Sequence, residues 1–153
     1  MSAGDALREF AEAGAHDLWY HVSTAAHAAN ADVFARLAAR GWTDIRPAHM
    51  PVFAGLDPEG THISTLASRA GQTRQGMSSL VKDVELAGLV RTSPDPNDRR
   101  AVLVELTDLG AKLCRDAAAI SREITVEWRE RLGAWNFDQL LETLRAIGSA
   151  ESR

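Results

Sequence analysis

The sequence predicts a mainly α-helical protein with one small β-hairpin set into its middle. Three observations carry this. Ala and Leu are abundant and aromatics make up only 6% of the chain, a composition that favours helices. Apolar residues recur at spacings of three and four through most of its length. That period breaks once, at Leu89-Val90-Arg91-Thr92 and Ala101-Val102-Leu103-Val104-Glu105-Leu106, two β-rich runs separated by turn residues, Pro94-Asp95-Pro96-Asn97-Asp98.

The elements follow in order. Residues 5–40 read as a long helix, with Leu18, Val22, Ala25, Ala29, Val33 and Leu37 along one side. Gly14 weakens its early part, and Arg40-Gly41 stops it. A short helix over 47–55 starts at Pro47 and is distorted by Pro51. Residues 55–60 are a loop. Thr61 is read as the N-cap of a helix over 62–70 that turns Ile63, Leu66, Ala67 and Ala70 inward. Gly71-Gln72 is a tight break, and Thr73 caps a helix over 74–87 that Gly88 closes. After the hairpin, Thr107 opens a helix over 108–131 with a stripe of Leu109, Leu113, Ala117, Ile120, Ile124 and Trp128. Gly133 ends it, and Asn136 with Gln139 suggests a capped start for a last helix over 137–147.

A chain of 153 residues with nearly half its side chains apolar can bury a core as one domain. Residues 47–107 would form its centre, with the long helices of 5–40 and 108–150 attached. Cys114 is the sole cysteine, so no intrachain disulfide forms and a reducing cytoplasm is expected. No signal peptide and no membrane-length apolar run are visible. The net charge is −4, unusual for a nucleic-acid binder. Residues 61–107 alone are net positive, with six cations against five carboxylates.

The pair of helices around Leu66-Ala67-Ser68-Arg69-Ala70-Gly71-Gln72-Thr73 has the short turn of a helix-turn-helix. The second helix would offer Arg74, Gln75, Ser78, Ser79 and Lys82. All of these donate hydrogen bonds to phosphates or base edges, and none is acidic. The free N–H groups at Thr73 suit a phosphate. A plain solvated face is the competing reading. The hairpin tip, Asp98-Arg99-Arg100, offers arginines that fit a narrow minor groove, with an acid able to hold a guanidinium. Alone it would be a solubilising turn. After a helix-turn-helix it reads as a DNA-binding wing.

From Leu66 to Gly110 the sequence resembles the DNA-binding core of MarR-family (multiple antibiotic resistance) regulators. The likeness rests on Gly88-Leu89-Val90-Arg91, Asp95-Pro96-Asn97-Asp98-Arg99-Arg100-Ala101 and Leu106-Thr107-Asp108-Leu109-Gly110. It departs from the family at Ser79, where a larger basic or aromatic residue is frequent. The resemblance implies a winged helix-turn-helix flanked by dimerisation helices. It further implies a homodimer that binds near-palindromic double-stranded DNA and represses transcription. Thr73, Gln75, Ser78 and Ser79 would lie at or near DNA, with Arg100 in the minor groove and Asp98 supporting it. It also implies a small, often aromatic or anionic, effector at the junction of the dimerisation helices with the winged part. Candidates there are His16, Trp19, Tyr20, His49, Met50 and Phe53, with Arg46 placed to balance a carboxylate; the competing and slightly favoured reading is that the aromatics among them simply pack the junction. The terminal stripes lead to the same dimer independently, because Trp128, Phe137, Leu141 and Leu144 have little remaining chain to cover them.

Other chemistries find little support. His16 and His27 stand roughly 16 Å apart along a helix, too far to share an ion. His21, His49 and His62 lack ligand spacing, so no metal is expected. Cys114 sits beside Leu113 on an apolar face, where packing is favoured over redox sensing. No phosphate loop, nucleophile elbow or paired carboxylates appear, so neither an enzyme nor a cofactor is expected. The remaining alternative is a winged-helix protein-interaction module without DNA binding, in keeping with the acidic total. The intact Asp98-Arg99-Arg100 tip argues for DNA.

Overall fold

The computed structural model describes residues 2–14, 17–95 and 101–149. The long first helix of the sequence reading is two helices, α1 (Ala3–Gly14) and α2 (Leu18–Ala39). Gly14 marks the end of one. Asp17 caps the other, its carboxylate accepting from the Trp19 N–H at 3.1 Å. At the far end Arg40 is the C-cap and Gly41 takes a left-handed φ of 94°. Burial rises along α2: Leu18 and Val22 are exposed, Val33 and Phe34 half-buried, and Leu37 fully buried.

A 3-10 turn, Pro47–His49, runs into the short helix α3 (Met50–Gly55). The turn explains how Pro51 is tolerated. It falls in the first turn of α3, where its absent N–H has no intrahelical partner. Then comes a strand that the sequence reading missed, β1 (Thr61–His62). Thr61 is not a helix cap. It is buried, pairs with Val104, and bonds through its hydroxyl oxygen to the Asp57 N–H at 2.8 Å. The cap position of α4 (Ile63–Arg69) belongs instead to His62, whose side chain makes no capping bond.

Helix α5 (Arg74–Leu86) follows, then β2 (Val90–Pro94) and β3 (Val102–Leu106). The sheet is antiparallel in the order β1-β3-β2. Thus β1 turns the expected hairpin into three strands. One core joins Leu37 of α2 and Val52 of α3 to Leu66, Met77, Val81, Val84, Leu89, Val90 and Val104 of the winged part. Leu113 and Ile120 of α6 (Asp108–Leu132) complete it.

The Leu106-Thr107-Asp108-Leu109-Gly110 motif has a visible cause. The Thr107 hydroxyl oxygen accepts from the Gly110 N–H at 3.1 Å and caps α6. Its proton points to the carbonyls of Gly88 and Leu89, at 2.7 and 3.0 Å. A Cβ at Gly110 would collide with the Leu89 carbonyl oxygen. Only glycine lets the start of α6 lie on the α5–β2 turn.

Helix α6 is tied back to α2 by charge. Arg36 donates to Asp32 at 2.9 Å and to Glu127 at 2.6 Å, and Arg40 to Glu123 at 2.6 Å. Hydrogen bonds, to Glu127 first and then Asp32, raise the Arg36 guanidinium above its ordinary value. The same bond holds the Glu127 carboxyl below the usual range. Gly133 (φ 80°) separates α6 from α7 (Ala134–Ser149). The last helix thus begins before the expected Asn136 cap. Asn136 is inside it, and its amide donates back to the Leu132 carbonyl at 3.0 Å. Phe137, expected to be left uncovered, is buried within the chain.

Candidate nucleic-acid interface

The turn between α4 and α5 is set by Gly71, whose φ is 61°. The Gly71 N–H returns to the Ser68 carbonyl at 3.2 Å and the Gln72 N–H to that of Ala67 at 2.9 Å. These bonds satisfy the end of α4 and reverse the chain within three residues. Thr73 then caps α5, its hydroxyl accepting from the Gly76 N–H at 3.1 Å. Met77, Val81 and Val84 fasten the inner face of α5 to the core. At a helical period this leaves Arg74, Gln75, Ser78, Ser79 and Lys82 outside.

Arg74, Gln75, Ser79 and Lys82 are exposed and make no side-chain bond to another described residue. Ser78 is half-buried, and its hydroxyl donates to the Arg74 carbonyl at 2.8 Å, leaving its oxygen as an acceptor. The two acids of α5 are engaged by the protein. Asp83 lies 3.4 Å from the Arg46 guanidinium and 3.7 Å from His49 Nε2. Glu85 accepts from the Thr92 N–H at 2.8 Å and its hydroxyl at 2.6 Å. Nearby, Asp57 is paired with Arg69 at 2.9 Å, and Glu105 with Arg91 at 3.0 Å. That last pair raises the arginine and lowers the carboxyl. The acidic total of the chain is thus offset locally. Its carboxylates around α5 have internal partners, cations for Asp83, Asp57 and Glu105 and the Thr92 donors for Glu85, while the cations of the α5 face make no side-chain bond to another described residue. The Asp83 pairing is invisible in the sequence, because Arg46 lies far from it along the chain.

Asp98, Arg99 and Arg100 lie outside the described residues, as does His16. The remaining effector candidates fall into two groups. Trp19 and Tyr20, at the start of α2, line a groove of about 440 Å³ with Phe10, Ala11, Ala13, Gly14 and Asp17. His49, Met50 and Phe53 sit at the other end, where Val52 and Phe53 share the core with Leu37. Trp19 and Leu37 are roughly 27 Å apart at the α-helical rise. One copy of the chain therefore does not bring the two groups into a single pocket. His49 is buried, its Nδ1 3.3 Å from the Arg46 backbone N–H. Cys114 is half-buried, and burial pushes its thiol above the ordinary value, which disfavours the reactive thiolate. Among the described residues, no group of three or more His, Cys, Asp or Glu is placed to hold a metal ion. No described helix is long and apolar enough to cross a membrane.

A capped second helix with a free polar face, beside a three-stranded antiparallel sheet, defines a winged helix-turn-helix, the fold of DNA-binding transcription regulators. Within that class, residues 43–101 match the model of the MarR family. No curated protein sequence matches. Solved structures do. CouR from Rhodococcus jostii RHA1, bound to p-coumaroyl-CoA, is 25% identical over 88% of this chain and 93% of its own, with a TM-score of 0.67. CouR bound to a 23-mer DNA duplex is 24% identical over 89% and 95%, with a TM-score of 0.71. The Staphylococcus aureus MepR–DNA complex is 19% identical over 88% and 98%, also at 0.71. The shared fold spans the flanking helices as well as the winged part.

Proposed function

We propose that the chain is a homodimeric, sequence-specific double-stranded-DNA-binding regulator. It acts as a repressor from which a small aromatic or anionic effector releases the DNA. The observation that carries this reading is the outer face of α5. Arg74, Gln75, Ser79 and Lys82 are exposed and unengaged, while Asp83 and Glu85 are held by internal partners. Such a face is suited to phosphate and base-edge contacts in a major groove.

The second copy is called for by the terminal helices. His21, Val22, Ala25, Ala26, Ala29, Trp128, Leu140 and Leu144 line an open, apolar groove of about 350 Å³. Two recognition helices related by a two-fold axis would meet successive major grooves roughly 34 Å apart, which requires a near-palindromic site. An anionic effector that engages Arg46 would have to draw it from Asp83, and that exchange would act on α5 directly. Trp19 and Tyr20 would contribute to such a site from the partner copy.

A gel shift with the DNA flanking its own coding region tests the reading. The wild type should retard a specific fragment in excess competitor. Arg100→Ala should weaken that binding by about 1–3 kcal/mol without unfolding the protein. Equal affinity for the fragment and the competitor would overturn it.

A further inference from the structure

His62 is the second residue of β1, at the entrance to α4. Asp95 directly follows β2. Their strands are not neighbours in the sheet, because β3 lies between them. His62 pairs with Leu103 on one side of β3, and Ser93 and Pro94 pair with Leu103 and Val102 on the other. Yet His62 Nε2 lies 2.6 Å from Asp95 Oδ2. An ionised carboxylate only accepts, so the ring N–H donates. The bond is a strap over the middle strand.

The Asp95 side chain is only 13% exposed, and a carboxylate so covered needs a donor. Its backbone N–H also donates to the Ala101 carbonyl at 3.0 Å. One residue therefore closes the hairpin and ties it sideways to the start of α4. Among the described residues, the charged side chains of α4, β2 and β3 have ion-pair partners of their own. Arg91 and Glu105 pair across β2 and β3, and Arg69 pairs with Asp57.

We propose that His62 and Asp95 are positioning residues. Their bond fixes the β2–β3 hairpin against the α4 end of the helix-turn-helix, so that hairpin and α5 meet the duplex as one rigid unit. The inference rests on the DNA-binding reading above.

A double-mutant cycle in operator affinity tests it, with amide exchange of the free protein as a second readout. His62→Ala and Asp95→Ala should each weaken binding by about tenfold, the scale of one charge-assisted hydrogen bond. The double variant should be no worse than the weaker single variant. His62→Gln keeps an N–H donor and should recover most of the affinity. Exchange of the Asp95 amide should quicken in His62→Ala and return towards wild type in His62→Gln. Additive losses in affinity, or wild-type exchange in His62→Ala, would overturn the strap. If the wild type binds no operator, the DNA reading falls, and the exchange data alone decide whether the strap holds the hairpin.

Discussion

The winged part and the terminal helices treat their apolar residues in opposite ways. Leu66, Met77, Val84 and Val104 are completely covered by the chain's own elements. Leu18, Trp19, Trp135 and Leu144 are 66%, 66%, 74% and 42% exposed. Both regions have helical periodicity, so the difference is not one of pattern. It lies in what each can find to pack against. The winged part has its core enclosed by its own three helices and sheet together with Leu37 of α2 and Leu113 and Ile120 of α6. The terminal helices form a layer with nothing on its outer side within one copy. On our reading the first region is a self-sufficient reader of DNA, and the second is half of an interface that sets two readers at a fixed spacing.

The largest effect that would sharpen this contrast comes from placing charge in the open groove. Val22→Glu together with Leu144→Glu should leave the winged core intact but abolish assembly. A buried, uncompensated charge costs about 3–5 kcal/mol. Light scattering at micromolar concentration should then give a monomer, against a dimer for the wild type. Next is Leu66→Ala, in the covered region. Its cost should be about 2–5 kcal/mol of stability from lost burial and a cavity, read by denaturant unfolding. The groove variants should instead alter the concentration dependence of unfolding.

A smaller effect separates reading from assembly. Gln75→Ala should cost about 1–3 kcal/mol for the operator and relax discrimination at one base pair. Lys82→Ala should weaken all sequences alike and reduce the salt slope. Neither should change dimerisation. The smallest effect concerns the α2–α6 tie. The Glu127 carboxyl is held below its ordinary value by Arg36, so its contribution is present above the unfolded carboxylate range, near pH 4. It is lost as pH falls through the lower folded value. Glu127→Gln should therefore show a shallower fall in Tm on acidification than the wild type.

The local signals in the sequence are legible where they act alone. Gly71, Thr73, Gly88, Thr107 and Gly133 each mark a cap or break, because each meets a requirement of its own backbone. Failures came where a partner distant in sequence decides. Thr61 looks like a cap, but Val104 and Asp57 recruit it into a strand. Two residues are also too short a run to show a β period. Asn136 looks like a cap, but Gly133 has already turned the chain. The split at Asp17 was foreshadowed only by Gly14. Of the interface, the polar face of α5 was legible from helical spacing. The partners that hold Asp83 and Glu85, the acids beside that face, were not.

The central claim is that the covered and uncovered regions together make one two-fold reader of DNA. It is tested most directly by the spacing of half-sites. Affinity should be measured for the operator recovered by gel shift and for the same duplex with about five base pairs inserted at its centre. That insertion rotates one half-site by about half a turn. The account predicts a loss of a hundredfold or more, since only one α5 can then engage its groove. Equal affinity for the two duplexes would contradict it.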